Sequence, residues 1–143
     1  CWRKNIYSFP PIGSPDAGAY TAVGDLDAFM RALTANKLLP EQLTKDMLTP
    51  KVMYRQTARA TYMMGYAFEF ALEPGSGRIM YMQKDGDNPG VDGMLRYYPD
   101  TSTVVAILAN QDRNVWDMAN EVHEALFRTA RAERCCIADG KPQ

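Results

Sequence analysis

The sequence is poor in the residues that build covalent frameworks and metal sites. Its 143 residues include three cysteines, Cys1 and the adjacent pair Cys135 and Cys136, and a single histidine, His123. An odd cysteine count without C-x-x-C spacing favours free thiols over a disulfide framework or a zinc site. One histidine excludes multi-histidine metal sites and argues against a histidine-based triad, so we expect His123 to be structural or solvated. We therefore expect no metal and no cofactor.

The sequence also lacks an excess of charge of one sign and any long apolar run. Sixteen basic residues stand against seventeen acidic ones, and no block of like charge occurs, which argues against nucleic acid and anionic membranes as partners. Apolar runs such as "VVAIL" at residues 104–108 are far shorter than the roughly 20 residues of a membrane-spanning helix. Because there is no leader and the chain begins at Cys1, we expect an excised or processed piece of a longer protein.

The length and the distribution of proline and glycine predict one domain. Residues 1–19, with "FPPIGSPDAG", predict an extended segment that leads into the domain. Residues 20–134 carry periodic patterns and form the predicted domain, and residues 135–143 predict a flexible tail.

Two short helices are predicted first. Apolar residues at helical spacing behind Asp25, a plausible N-cap, predict a helix over residues 26–36; they are Leu26, Phe29, Met30 and Leu33. A second short helix begins near Pro40, places Leu43 and Met47 on one face, and is closed by Pro50.

Four strands and a long helix are predicted next. From Gly65 the apolar residues recur at every second position, in the order Tyr66, Phe68, Phe70 and Leu72. On the next strand one face carries Ile79, Tyr81 and Gln83, and the other carries Met80, Met82 and Lys84. A third strand runs from Val91 to Tyr98 and a fourth is "TVVAILAN", whose apolar character predicts cover on both faces. The last helix has a stripe of Val115, Met118, Val122, Ala125 and Leu126. The fold class is therefore α+β, an antiparallel meander with two preceding helices and a long C-terminal helix packed on the sheet.

Four stretches in order carry a resemblance to a known family. They are "AGAYTAVGDLDAFMRAL", "MGYAFEF", "KDGDNPGVDGMLRYYPDTSTVVAILANQD" and the terminal helix. Together they resemble the C-terminal part of the serine β-lactamase-like hydrolases, which include class C β-lactamases, penicillin-binding DD-peptidases and esterases. The resemblance covers roughly residues 15–128, and each motif alone is weak.

The resemblance implies a role for the end of the second strand. Lys84 and Gly86 match the family's K-T-G or H-x-G motif, in which the cation organises protons and substrate. The N–H of the next residue, here Asp87, forms half of the oxyanion hole, and Gly86 removes the Cβ that would block close approach. Asp85 replaces the usual Thr or Ser, which binds a substrate carboxylate, and carries the wrong charge for that task. Without the resemblance, Lys84 is an ordinary solvated strand end.

Two other motifs of the family are missing. No tyrosine begins a Y-x-N or Y-x-S motif, and no serine begins S-x-x-K. Three residues after Ser8, Ser14, Ser76 and Ser102 stand Pro11, Ala17, Ile79 and Val105. Since both motifs lie upstream in the family, we expect a missing N-terminal catalytic segment and an inactive isolated chain. A different class of function, a non-catalytic binding or packing module derived from this fold, stays open, as does an unrelated small α+β domain.

The remaining expectations concern the partners and the cellular location of the protein. The resemblance implies a small ester, amide or β-lactam substrate for the intact protein, and a periplasmic or secreted location, with a cytoplasmic one left open. It also implies a sheet edge normally covered by N-terminal strands, so the isolated chain is expected to dimerise or exchange strands. The stretch "DGDNPGVDG" is not an EF-hand calcium loop, because Pro89 takes a ligand position and no closing Glu follows.

Overall fold

The computed structural model describes residues 18–111 and 114–138. Two helices, α1 (Val23–Thr34) and α2 (Glu41–Met47), precede six strands. The strands are β1 (Val52–Gln56), β2 (Thr61–Met64), β3 (Glu69–Leu72), β4 (Ile79–Asn88), β5 (Val91–Tyr98) and β6 (Thr103–Ala109). A single 3-10 turn (Pro99–Thr101) joins β5 to β6, and a long helix α3 (Val115–Ala138) follows. The predicted α+β class is confirmed.

The sheet is an antiparallel meander in which every strand pairs with its neighbour in sequence, in the order β1-β2-β3-β4-β5-β6. The sequence predicted four strands and missed β1 and β2. All five residues of β1 are exposed, so β1 has no buried face and its sequence shows no alternation for a pattern to detect. The first predicted strand is also too long at its start, because residues 65–68 form the turn before β3, and Tyr66 is 72% exposed.

One face of the sheet packs against α1. The core there consists of Met30, Leu33, Phe68, Phe70, Met82 and Leu95, with α2 contributing Met47 at its margin. The helix begins three residues earlier than predicted, at Val23, and its N-cap is Ala22 rather than Asp25. Asp25 still serves the helix start, because its carboxylate accepts a hydrogen bond from the Ala22 N–H at 2.9 Å. In α2, Leu43 shares a helix face with Met47 as predicted, but it is 54% exposed, and Thr44 is the buried residue of the helix.

The other face of the sheet packs against α3. Val115 and Ala119 pack with Met94 of β5, while Met118 and Val122, which were predicted to face the sheet, are 45% and 36% exposed. Val115 is buried as predicted and Leu126 packs against Tyr81 and Tyr98, so the predicted stripe is wrong at Met118 and Val122 and omits Ala119. The close approach of helix and strand favours the small Ala119.

A β-bulge near the start of β4 changes which side chains share a face. Ala71 is opposite Tyr81, yet Leu72 is opposite Ile79, so one residue of β4 is extra. Ile79 consequently packs on the α1 face with Met82, whereas Met80 and Tyr81 pack on the α3 face. The predicted alternation is therefore wrong for Ile79 and Met80 and holds from Tyr81 onwards.

Some expectations fall outside the described residues. Residues 1–17, which include Cys1 and most of the predicted extended segment, and residues 139–143 of the predicted tail are not described. The helix α3 includes Cys135 and Cys136, where the sequence predicted the start of that tail. Within the described part of the chain, no helix is long and apolar enough to cross a membrane.

Candidate active site

The two neighbours of β4 cover different lengths of it. Strand β3 pairs with β4 only as far as Gln83, which is opposite Glu69. Strand β5 pairs with β4 to its last residue, Asn88, which is opposite Val91. Among the described strands, residues 84–88 are therefore paired on the β5 side alone. We call the other side of these residues the open edge of β4.

The hydrogen-bonding pattern shows which backbone groups point toward the open edge. The Gly65 N–H donates to the Phe68 carbonyl at 2.8 Å. The backbone N–H and C=O groups of Phe68 therefore point toward β2. Because these directions alternate along a strand, Glu69 directs its groups toward β4. The backbone N–H and C=O groups of Gln83, which is opposite Glu69, point back toward β3. Because the direction alternates along the strand, those of Asp85 and Asp87 point to the same side.

The hairpin between β4 and β5 gives the same orientation independently. Residues 89 and 90 form a two-residue turn between Asn88 and Val91, and such turns are closed by a hydrogen-bonded pair. Asn88 therefore directs its groups toward β5, as does Gly86, which is opposite Gly93. The N–H of Asp87, between them, points toward the open edge.

Lys84 places its ammonium group at this edge. Its side chain is 62% exposed, and its Nζ donates a hydrogen bond to the Asp85 carbonyl oxygen at 2.9 Å. The Nζ also lies 3.6 Å from Oδ1 of Asp85. Strand alternation puts the two side chains on opposite faces, but the long lysine reaches around the edge to meet the carboxylate. The positive charge of Lys84 is consequently offset in part by Asp85.

Gly86 leaves room beside the strand. Apart from the two chain neighbours of Gly86, no atom of the described residues lies within 4 Å of the position that its Cβ would take. An added methyl group would therefore project into open space beside the strand.

Asp87 and Asp92 lie opposite each other on β4 and β5. They line a small cavity of about 160 Å³ together with Val115 and Trp116 of α3. Asp92 is 8% exposed. The side chain of Asp87 thus lies on the α3 face of the sheet, while its N–H points along the plane of the sheet to the open edge.

A polar ladder precedes the site and was missed by sequence analysis. Glu69, Gln83 and Arg96 are directly opposite one another on β3, β4 and β5. The Gln83 amide donates to Oε2 of Glu69 at 3.0 Å and accepts from Nε of Arg96 at 2.9 Å. The available signal was a glutamine and an arginine at positions where the strand pattern calls for buried apolar side chains.

Arg96 connects this ladder to α3. It is fully buried, and its guanidinium donates to the Ala119 carbonyl at 2.8 Å and to Oδ1 of Asn120 at 3.2 Å. It also lies over the Tyr81 ring at 4.2 Å, a cation–π contact. Because Gln83 directly precedes Lys84, these bonds hold β4 in place immediately before the open edge begins.

His123 lies beside the same cluster as a structural residue. Its ring is 5.1 Å from that of Tyr81 and is stacked 5.8 Å from that of Tyr98. Burial, with a smaller contribution from Arg96, lowers the pKa of His123 below its usual 6.5. The neutral imidazole is therefore favoured in the folded chain.

The open edge offers a cation and an amide but no nucleophile from the described residues. Ser76 lies in the turn before β4 and Ser102 in the turn after β5, both at the end of the sheet opposite to Lys84. Ser8 and Ser14 are not described. Within the described ranges, no group of three or more His, Cys, Asp or Glu side chains could hold a metal ion. The arrangement can stabilise negative charge.

Comparisons with known proteins show the family and the fold of the chain. The sequence profile of the beta-lactamase family matches residues 2–128. The crystal structure of a penicillin-binding protein from Bacillus halodurans is similar, with 32% sequence identity and a TM-score of 0.77. The match covers 88% of this chain and 36% of that protein's chain. No curated protein sequence matches.

Proposed function

Because the chain belongs to the beta-lactamase family, we propose that it supplies one wall of the active-site cleft of a serine acyl hydrolase. In this proposal the wall is the open edge of β4. The nucleophilic serine belongs to a segment outside the chain, since the chain spans only about a third of the penicillin-binding protein it resembles. The observation that carries the proposal is the orientation of the Asp87 N–H toward the same edge that holds the Lys84 ammonium.

Each group has a separate role in the proposed chemistry. When a serine attacks a carbonyl, negative charge develops on the carbonyl oxygen, and the Asp87 N–H donates a hydrogen bond to it. A backbone amide fixed in a strand stabilises that charge without reorganising. The Lys84 ammonium lies beside it and assists by holding the proton network and the substrate in place.

Gly86 contributes by its missing side chain. The reacting carbonyl must come within hydrogen-bond distance of the backbone, and the space beside Gly86 is open. A larger residue would fill that space and hold the substrate away from the amide.

Asp85 determines the substrate class in this proposal. An ionised carboxylate about 5 Å from a substrate carboxylate costs roughly 1 to 3 kcal/mol at surface-like dielectric. The Lys84 ammonium at 3.6 Å reduces this penalty. We therefore expect a neutral ester or peptide-like amide to be preferred over an anionic β-lactam, by about tenfold.

The first experiment locates the nucleophile. Reading the gene upstream of Cys1 should reveal an S-x-x-K sequence, and a labelled penicillin or fluorophosphonate should modify that serine in the complete gene product. The isolated chain should stay unlabelled. If the upstream sequence lacks S-x-x-K, or if a serine of this chain is labelled, the proposal that the chain supplies one wall of the cleft is wrong.

The same observation decides the alternative function. A non-catalytic module derived from this fold is favoured by the absence of S-x-x-K from the chain itself. Such a module would also have no S-x-x-K upstream.

The second experiment tests the role of Asp85. The complete gene product and its Asp85→Thr variant are compared on a neutral p-nitrophenyl ester and on an anionic cephalosporin. The substitution should shift the ratio of kcat/KM values toward the cephalosporin by about tenfold. An unchanged ratio would mean that Asp85 does not face the substrate.

A further inference from the structure

A second cavity lies on the α3 face of the sheet. It has a volume of about 330 Å³, and its lining includes Tyr54, Arg55, Tyr62, Arg96 and Trp116. We call it the arginine pocket. Its volume is at the lower end of the range found for small-molecule sites. The described residues that line it include none of residues 84–88, so this pocket is separate from the candidate active site.

The floor of the arginine pocket is a buried cation with neutral partners. The guanidinium of Arg96 donates to Gln83, to the Ala119 carbonyl and to Asn120, which uses three of its five N–H donors. Each acceptor is an uncharged amide oxygen. Among the described residues no carboxylate contacts Arg96, since Glu69 bonds to Gln83 instead. A buried charge held only by dipoles favours an anion nearby.

A second arginine lies at the mouth of the arginine pocket. The Arg55 guanidinium lies over the Tyr62 ring at 4.9 Å, as Arg96 lies over Tyr81 at 4.2 Å. Glu69 is the one carboxylate among the lining residues. Two guanidinium groups against one carboxylate leave the pocket with a net positive charge, which attracts an anion.

The walls of the arginine pocket are aromatic. The rings of Tyr54 and Tyr62 are 6.4 Å apart and tilted by 45°, and Trp116 of α3 lines the same cavity. Burial raises the pKa of Tyr81 to about 12, so its phenol is uncharged and adds no negative charge to the pocket. Flat apolar walls above a cationic floor suit a ligand with a planar body and one anionic end.

We propose that the arginine pocket binds a small monocarboxylate with a flat apolar body, whose carboxylate bonds to the exposed Arg55 while the buried charge of Arg96 attracts it from the floor. This proposal rests on the pocket alone and does not require hydrolase activity. The ligand would contact Gln83, the residue directly before Lys84, so the site lies behind the strand that carries the candidate active site.

The test uses benzoate as the probe and benzamide as a neutral control of the same shape. Each is titrated into the complete gene product and followed by isothermal calorimetry or by NMR. Benzoate should bind saturably, and benzamide should bind at least fivefold more weakly, because it offers no charge to the two guanidinium groups. Equal binding of the two compounds, or no saturable benzoate binding, would overturn the proposal.

Three variants locate the bound anion. Arg55→Gln should weaken benzoate binding roughly two- to fivefold, as expected for a charge at an exposed rim. Arg59→Gln, which changes an exposed arginine outside the pocket, should leave binding unchanged. Lys84→Met should also leave it unchanged. Weaker binding in Lys84→Met, or equal effects of the two arginine variants, would place the anion elsewhere and contradict the proposal.

Discussion

The two halves of β4 differ in pairing, burial and chemistry. Residues 79–83 lie beside β3 across a bulge, Met82 and Gln83 also pair with β5, and Tyr81, Met82 and Gln83 are buried. Residues 84–88 pair with β5 alone, and Lys84, Gly86 and Asp87 are exposed. One strand therefore contains a stability region and a candidate reactive region separated by a single peptide bond. Substitutions in the first should unfold the protein, whereas substitutions in the second should alter its activity.

The largest expected effect concerns the anchored half. Arg96→Met removes the donors to Gln83, Ala119 and Asn120 and leaves buried acceptors unsatisfied. It should lower the free energy of unfolding by about 3 kcal/mol, measured by urea denaturation of the complete gene product. Arg31→Met is the control, because Arg31 is exposed and pairs with Asp27 on the same helix. Equal effects of the two substitutions would show that the ladder does not anchor β4.

The next effect concerns catalysis at the open edge. Lys84→Met should reduce kcat/KM for a neutral ester by about a hundredfold. The free energy of unfolding should change by less than about 0.5 kcal/mol, since the lysine is mostly exposed. Lys37→Met, on an exposed lysine after α1, should change neither quantity. A stability loss without an activity loss would assign Lys84 to the structural half of the strand.

Gly86→Ala should change the stability and the activity of the protein in opposite directions. A Cβ at this position meets no described atom within 4 Å, so the substitution should raise the free energy of unfolding by about 0.4 to 1 kcal/mol. Activity should nevertheless fall roughly tenfold, because the substrate carbonyl is held away from the Asp87 amide. Gly24→Ala in α1, where space is also open, should raise stability and leave activity intact. Retained activity in Gly86→Ala would contradict the proposed approach path.

The smallest effect is the pH dependence at His123, in the anchored region. Its pKa is lowered in the folded chain, so the unfolded chain binds a proton first as the pH falls below about 6.5. The contribution of His123 to stability is thus complete above this pH and decreases below it. Denaturation of the wild type and of His123→Gln between pH 5 and 8 measures how much more stable the wild type is than the variant at each pH. A difference that grows as the pH falls would reverse the sign and refute the assignment of a neutral imidazole.

Sequence patterns predicted the paired half of the molecule better than its margins. The apolar positions Phe70 and Met82 were predicted correctly because burial imposes alternation on a central strand. Strand β1 was missed because an edge strand exposed on both faces carries no such pattern. The bulge at the start of β4 was missed because an extra residue depends on the pairing of two strands, which no local pattern contains.

The candidate site was only partly predictable from sequence. Lys84, Gly86 and Asp87 were identified through the family resemblance, and their backbone directions required the strand register. The contact between Lys84 and Asp85 was missed, since strand alternation places these side chains on opposite faces. The ladder of Glu69, Gln83 and Arg96 depends on three strands in register, so no local stretch of sequence could reveal it.

The central claim is that the Asp87 N–H stabilises the developing oxyanion. The most direct measurement is a crystal structure of the complete gene product acylated by a penicillin. The account predicts that the acyl carbonyl oxygen lies about 2.7 to 3.1 Å from the backbone nitrogen of Asp87, with the Lys84 ammonium beside it. An acyl group whose carbonyl oxygen points away from the open edge of β4, or a protein that forms no acyl adduct, would contradict the account.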